Sequence, residues 1–184
     1  MTLRTKPPVA PRPIPSPTDV RALLAATRDD RLLYAGVSLL AFTGLRRGEV
    51  GELNVADYEP TVPRLRVTGS SPRTIRIAPS AATALDAYLA DQVASPDEPL
   101  LLGLQQTATI GRLVSRATET AGVSLGIHDL RRAAMAAVLD DGTPVSHVEA
   151  YFGLSRTLGR KDLTPISDGY DVGIAAALET TFSG

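Results

Sequence analysis

The chain has 184 residues, 43% of them apolar, and 19 basic against 20 acidic side chains give a formal charge of -1. That length supports one ordinary core, and the balance lacks the positive excess of a wholesale nucleic-acid binder. With no cysteine and only His128 and His147 as histidines, a disulfide framework and a thiolate metal site are excluded and a zinc site is disfavoured. The first 17 residues hold six prolines, from Pro7 to Pro17, so they read as an extended linker or tail. They carry no apolar core of a secretory signal. No run of about 18 apolar residues follows, so the expected location is the cytoplasm, with no membrane partner. Seventeen of the 19 basic residues are arginine, the side chain suited to bidentate phosphate contacts. A GC-rich genome would produce the same bias.

SPTDVRALLAATRDD has Ser16 or Thr18 as a cap and Val20, Leu23 and Leu24 as an apolar stripe, which predicts a helix. Residues 31–42, RLLYAGVSLLAF, are apolar nearly all round and predict a buried helix. Gly44 breaks it before a short helix in TGLRRGEVGEL. RLRVT (64–68) and RTIRI (73–77) alternate with period two, and GSSP between them makes a hairpin turn. Further helices are predicted from Ser80, over 109–122 up to Gly122, from His128 to Gly142, and from Pro144 to Gly153. VGIAAALETTF makes a last small helix. The fold class is therefore mainly α with one small antiparallel hairpin, an α+β arrangement. No parallel strand series or glycine-rich phosphate loop is present, which argues against a nucleotide-binding α/β fold.

Two arginine clusters punctuate this order. TGLRRGEV (43–50) follows the buried helix, and IHDLRR (127–132) opens a later one. His128 and Arg131, three residues apart, share one helix face near its start, where an anion can sit. Taken singly, Arg46 and Arg47 read as solvent-facing residues and His128 as a surface histidine. Taken in order, with the hairpin between, the two clusters resemble the arginine box and the H-x-L-R box of the tyrosine recombinases, the phage integrase family. The resemblance covers roughly residues 16–180.

That resemblance implies a catalytic domain for site-specific DNA recombination, which cleaves and rejoins DNA through a 3′-phosphotyrosyl intermediate. Arg46 and Arg131 would clamp one scissile phosphate and balance its growing charge. His128 would bond the same phosphate or move a proton. Glu49 would brace the first box and Asp129 would cap the helix. Arg47, Arg73 and Arg132 would contact the DNA backbone. Neither metal nor cofactor is implied. The implied partners are double-stranded DNA, further copies of the chain on that DNA, and accessory recombination proteins of a mobile element. Residues 18–184 would form the whole catalytic domain, without the family's N-terminal core-binding domain.

Three positions depart from the family pattern. The hairpin lysine that protonates the leaving 5′ oxygen is absent: the turn is Gly69-Ser70-Ser71-Pro72, and only Lys6 and Lys161 exist in the chain. Arginine replaces it poorly, since its pKa exceeds about 12. The L-G-H-S box reads Phe152-Gly153-Leu154-Ser155, with leucine in place of histidine; His147, outside that box, reads as a surface residue. Among five tyrosines, Tyr34 and Tyr88 lie in apolar stripes, and Tyr58 and Tyr151 read as structural. Tyr170 alone stands after the box and before the last helix, beyond an apparent flexible loop at 157–169, and is the candidate nucleophile. The alternative is a recombinase-like module that binds DNA or regulates without cutting it.

Overall fold

The computed structural model describes residues 13–154 and 167–183. Among these residues, eight α-helices surround one core, with a three-stranded antiparallel sheet at the side. The mainly helical expectation with a small antiparallel hairpin holds.

Helix α1 (Pro17–Ala26) starts from Ser16, whose hydroxyl takes the Asp19 N–H at 3.2 Å, while the Asp19 carboxylate takes the Ser16 N–H at 3.2 Å. This reciprocal cap satisfies two orphan donors at once. Asp30 caps α2 (Arg31–Thr43) by accepting the Leu33 N–H at 3.0 Å. From Ala35 to Thr43 every residue of α2 is buried. Helices α1, α4 (Pro79–Leu89), α6 (Ile127–Asp140) and α8 (Tyr170–Phe182) pack around it. Gly44 ends α2 at φ 59°, and a Cβ there would run into the Phe152 ring. Glycine is needed for both reasons.

After α3 (Arg47–Glu52) and a 3-10 turn at Val55–Asp57, strand β1 (Tyr58–Glu59) pairs with β2 (Arg64–Val67), which pairs with β3 (Arg73–Arg76). The register sets Leu65 opposite Ile75 and Val67 opposite Arg73. Leu65, Val67 and Ile75 are buried, so Arg73 shares the inward face with them. Strand β1 was not foreseen, because two residues are too few to show a period. Helix α5 (Thr107–Ala121) ends at Gly122, and α7 (Val145–Phe152) ends at Gly153, φ 61°.

Some boundaries move. Helix α4 starts at Pro79, which is pre-set for the first helical position, rather than at Ser80. Helix α6 starts at Ile127, because Asp129 reaches back to the Gly126 N–H at 3.0 Å. Helix α8 starts at Tyr170 and not at Val172, since Gly169 turns the chain at φ 72°. Most of the expected loop at 157–169, with Lys161, lies outside the described residues, as do Ser155 and residues 1–12 of the proline-rich start. No helix among the described residues is long and apolar enough to cross a membrane.

Candidate active site

Glu49 organises the site. It is the third residue of α3, and its carboxylate accepts the Arg46 backbone N–H at 2.7 Å and Arg46 Nη1 at 3.0 Å. From the hairpin, Arg73 donates Nη1 at 2.8 Å and Nη2 at 3.2 Å to the same carboxylate. Four donors fill the roughly four lone-pair positions of an ionised carboxylate. Burial pushes the Glu49 carboxyl up, but the Arg73 hydrogen bond, the Arg46 N–H and both arginine charges outweigh it and hold it below the usual range.

Arg131 enters from α6. It donates Nη1 to the Gly44 carbonyl and Nη2 to the Phe152 carbonyl at 2.6 Å, and its guanidinium lies 5.6 Å from the centre of the Phe152 ring. Burial first, and then the charges of Arg46 and Arg73 against the opposing charge of Glu49, lower the Arg131 pKa to about 10. It is still a cation at neutral pH.

The three arginines share an anchor. Arg73 Nε donates to the Tyr151 carbonyl at 2.7 Å, Arg131 to that of Phe152, and Arg46 Nη2 to that of Gly153 at 2.8 Å. These consecutive carbonyls close α7. The last carbonyls of a helix have no partner within it and form the negative end of its dipole. The end of α7 is therefore a rack that holds three cations side by side. Gly153 lets the hairpin approach, since a Cβ there would stand 2.7 Å from Arg73 Nη1.

The arginines differ in what they keep. Arg73 is 7% exposed and spends Nε, both Nη1 hydrogens and one on Nη2 on Tyr151, Glu49 and Ser71. Arg46 is 40% exposed and spends two of its five donors. Arg131, half-buried, also spends two. Arg46 and Arg131 thus retain N–H groups for a ligand oxygen, whereas Arg73, expected among the contacts to the DNA backbone, is a buried brace of Glu49. The alternation of 73, 75 and 77 was the signal for this inward placement.

Tyr170, in the first turn of α8, is half-buried and lies within the field of Arg73. Its phenol pKa is raised, first by burial and then by Asp171, with Arg73 opposing. The positive charge that acts on the phenol is that of Arg73. His147 is not a simple surface residue: its ring packs on that of Tyr170, centroids 5.5 Å apart. Tyr151 is fully buried and donates to the Arg76 carbonyl at 2.8 Å, which fits its structural reading.

The remaining candidates sit outside the cluster. His128 is exposed in the first turn of α6. Arg47 is exposed at the start of α3, alongside Gly111 of α5. Arg132 bonds Asp129 at 3.2 Å and the Pro13 carbonyl at 3.4 Å. Leu154 packs against the core. Tyr58 donates to Asp86 at 2.9 Å, in keeping with a structural role.

Comparison with known proteins agrees with this geometry. The XerA recombinase superposes with a TM-score of 0.72 at 24% identity, over 94% of this chain and 65% of that one. The integrase of mycobacterium phage Brujita gives 0.71 at 24% identity, over 95% of this chain and 59% of that one. A lambda integrase dimer bound to a COC′ core site gives 0.64 at 17%, over 90% and 66%. The chain thus spans about three fifths of the first two proteins, and at these identities the likeness concerns the fold. None of the curated proteins matches the sequence. The model of the Phage integrase family matches residues 16–157, both arginine boxes and the hairpin included. On that match the chain belongs to the phage integrase family, and its fold is that of a tyrosine recombinase catalytic domain.

Proposed function

We propose that this chain is a DNA strand-exchange domain, active on double-stranded DNA without a metal or cofactor. Arg46 and Arg131 hold the non-bridging oxygens of one scissile phosphate. The Tyr170 hydroxyl oxygen attacks phosphorus, the bond from phosphorus to the 5′ oxygen breaks, and a 3′-phosphotyrosyl link forms. The proton lost by the phenol balances the one gained by the leaving 5′ oxygen, and His128 carries it. Rejoining reverses these steps. Arg47 and Arg132 contact the DNA backbone from either side.

The observation that supports this reading best is the convergence of Arg46 and Arg131 on adjacent carbonyls of α7, each with donors to spare. Fixed cations aimed at one point give the electrostatic stabilisation that phosphoryl transfer needs. Self-association on DNA belongs to the same reading, as do accessory recombination proteins of a mobile element and a cytoplasmic setting. The lambda relative was solved as a dimer on its core site.

A second reading is favoured by the lack of a lysine in the 69–72 turn, by Leu154 and by the raised phenol of Tyr170: a domain that binds DNA without cutting it. Nicked duplexes tiling the DNA around the gene decide between them on a denaturing gel. The first reading gives a slow protein–DNA adduct that Tyr170→Phe abolishes. The second gives no adduct, but a native gel shift that weakens as salt rises.

A further inference from the structure

Helix α7 does two things at once. Its last carbonyls hold the arginines, and its opposite end touches the candidate nucleophile. His147 and Tyr151 are four residues apart on α7, so they share one face, about 6 Å apart along the axis. Tyr151 fixes that face to the sheet through the Arg76 carbonyl. The His147 ring lies against the Tyr170 ring at a tilt of 44°. His147 Nε2 also receives the Ser167 N–H at 3.5 Å, a long contact that ties down the chain just before α8.

We propose that His147 is a positioning residue for Tyr170: it seats the first turn of α8 on α7 and so sets the phenol's distance from the arginine rack. The contact is ring to ring. It restricts the phenol's direction and does not take its proton, so shape matters more than imidazole chemistry. This rests on the reading of Tyr170 as the nucleophile. The rack fixes where the phosphate lies and His147 fixes where the phenol lies. Both are indexed to the same two-turn helix, whose length cannot change. Near-attack alignment is sensitive to such indexing, since a misplacement of about 1 Å costs on the order of 10²-fold in rate.

The test compares His147→Ala and His147→Phe in single-turnover adduct formation on a nicked duplex. His147→Ala is expected to slow the reaction by on the order of 10²-fold at an unchanged half-saturating DNA concentration. His147→Phe, which keeps a flat ring, is expected to restore most of the rate. The same contact is read without DNA, as proton–proton cross-peaks between the His147 and Tyr170 rings by NMR. His147→Ala should shift the Tyr170 ring signals, with the thermal melt kept as a check on folding. A His147→Ala protein at full rate, a His147→Phe protein as slow as His147→Ala, or absent ring cross-peaks in the parent would each overturn the proposal. If the parent makes no adduct, or Tyr170→Phe still makes one, the strand-exchange reading fails. The NMR arm then still decides whether His147 seats Tyr170.

Discussion

Replacing Arg73 with methionine tests the internal electrostatics of the site. Arg73 and Glu49 are both 7% exposed, and they share two hydrogen bonds. Methionine keeps much of the apolar stem and removes every donor. Glu49 would then keep only Arg46, which is 40% exposed and screened by water. Breaking a buried pair by removing one partner costs about 3–5 kcal/mol, because the other charge stays behind. The Tyr151 and Ser71 carbonyls lose their donors too, which favours the upper end. For a domain of this size, that is a melting shift of about 6–20 °C. The pH dependence gives a second readout. In the parent the Glu49 pKa is depressed, so its stabilisation is present above the unfolded carboxyl pKa and is lost as pH falls through the folded value. In Arg73→Met, burial acts with much less opposition and the Glu49 pKa rises. The variant then binds a proton on Glu49 at mild acidity, and its deficit against the parent shrinks as pH falls. Urea titrations at neutral and mildly acidic pH measure both effects. Adding Glu49→Leu should recover much of the loss, since a buried pair is often replaceable by apolar residues. A single-variant loss under about 0.5 kcal/mol, the level of an ordinary surface change, would refute the reasoning. So would a deficit that grows on acidification.

Other changes have definite signs. Gly153→Ala forces a side chain into a left-handed conformation, costing about 1–2 kcal/mol, and presses on Arg73 as well; chemical denaturation reads the loss. Arg131→Lys keeps the charge but cannot bridge the Gly44 and Phe152 carbonyls, so adduct formation should fall by about 10²–10³-fold at unchanged helix content by circular dichroism. Asp171→Asn removes a negative charge beside Tyr170 and should lower the phenol pKa, read as an earlier ultraviolet titration of one tyrosine. Because the Tyr170 phenol sits above its ordinary value, the adduct rate of the parent should rise with pH up to about 10 as the phenolate fraction grows, and level off above it as Arg131 loses its proton and the clamp its charge.

The helices and hairpin were legible because each carries its own period and stop signal. Residues 35–43 read as buried from their apolar run alone, and Gly44, Gly122 and Gly153 end their helices where sequence placed the breaks. The pairing of Arg46 with Arg131 was legible only through the order of two boxes; no local pattern says that residues 85 apart meet. The carbonyl rack was invisible, because backbone oxygens have no letter in the sequence. His147 was misplaced for a related reason. Its helix is short, and what it faces, Tyr170, arrives from a distant part of the chain. The inward placement of Arg73 was legible, since residues 73, 75 and 77 alternate inward and an arginine on that face must find a buried partner.

On the proposed function, the same arginine arithmetic would let a nearly neutral chain fit a polyanion. DNA affinity depends on where cations are held and how many hydrogens they have left, not on net charge alone. At this site three arginines meet one glutamate and the negative end of a helix. Arg73 is consumed in holding Glu49, and Glu49 is saturated by doing so. Arg46 is freed from carrying that carboxylate alone. The excess charge of the cluster is thereby concentrated on Arg46 and Arg131, the two whose donors remain available. Removing Arg73 should therefore weaken phosphate binding at Arg46, although the Arg73 side chain is itself buried. A measured loss of DNA affinity in a folded Arg73→Met, Glu49→Leu double variant smaller than in Arg73→Met alone would mark Glu49's unmet charge as the cause.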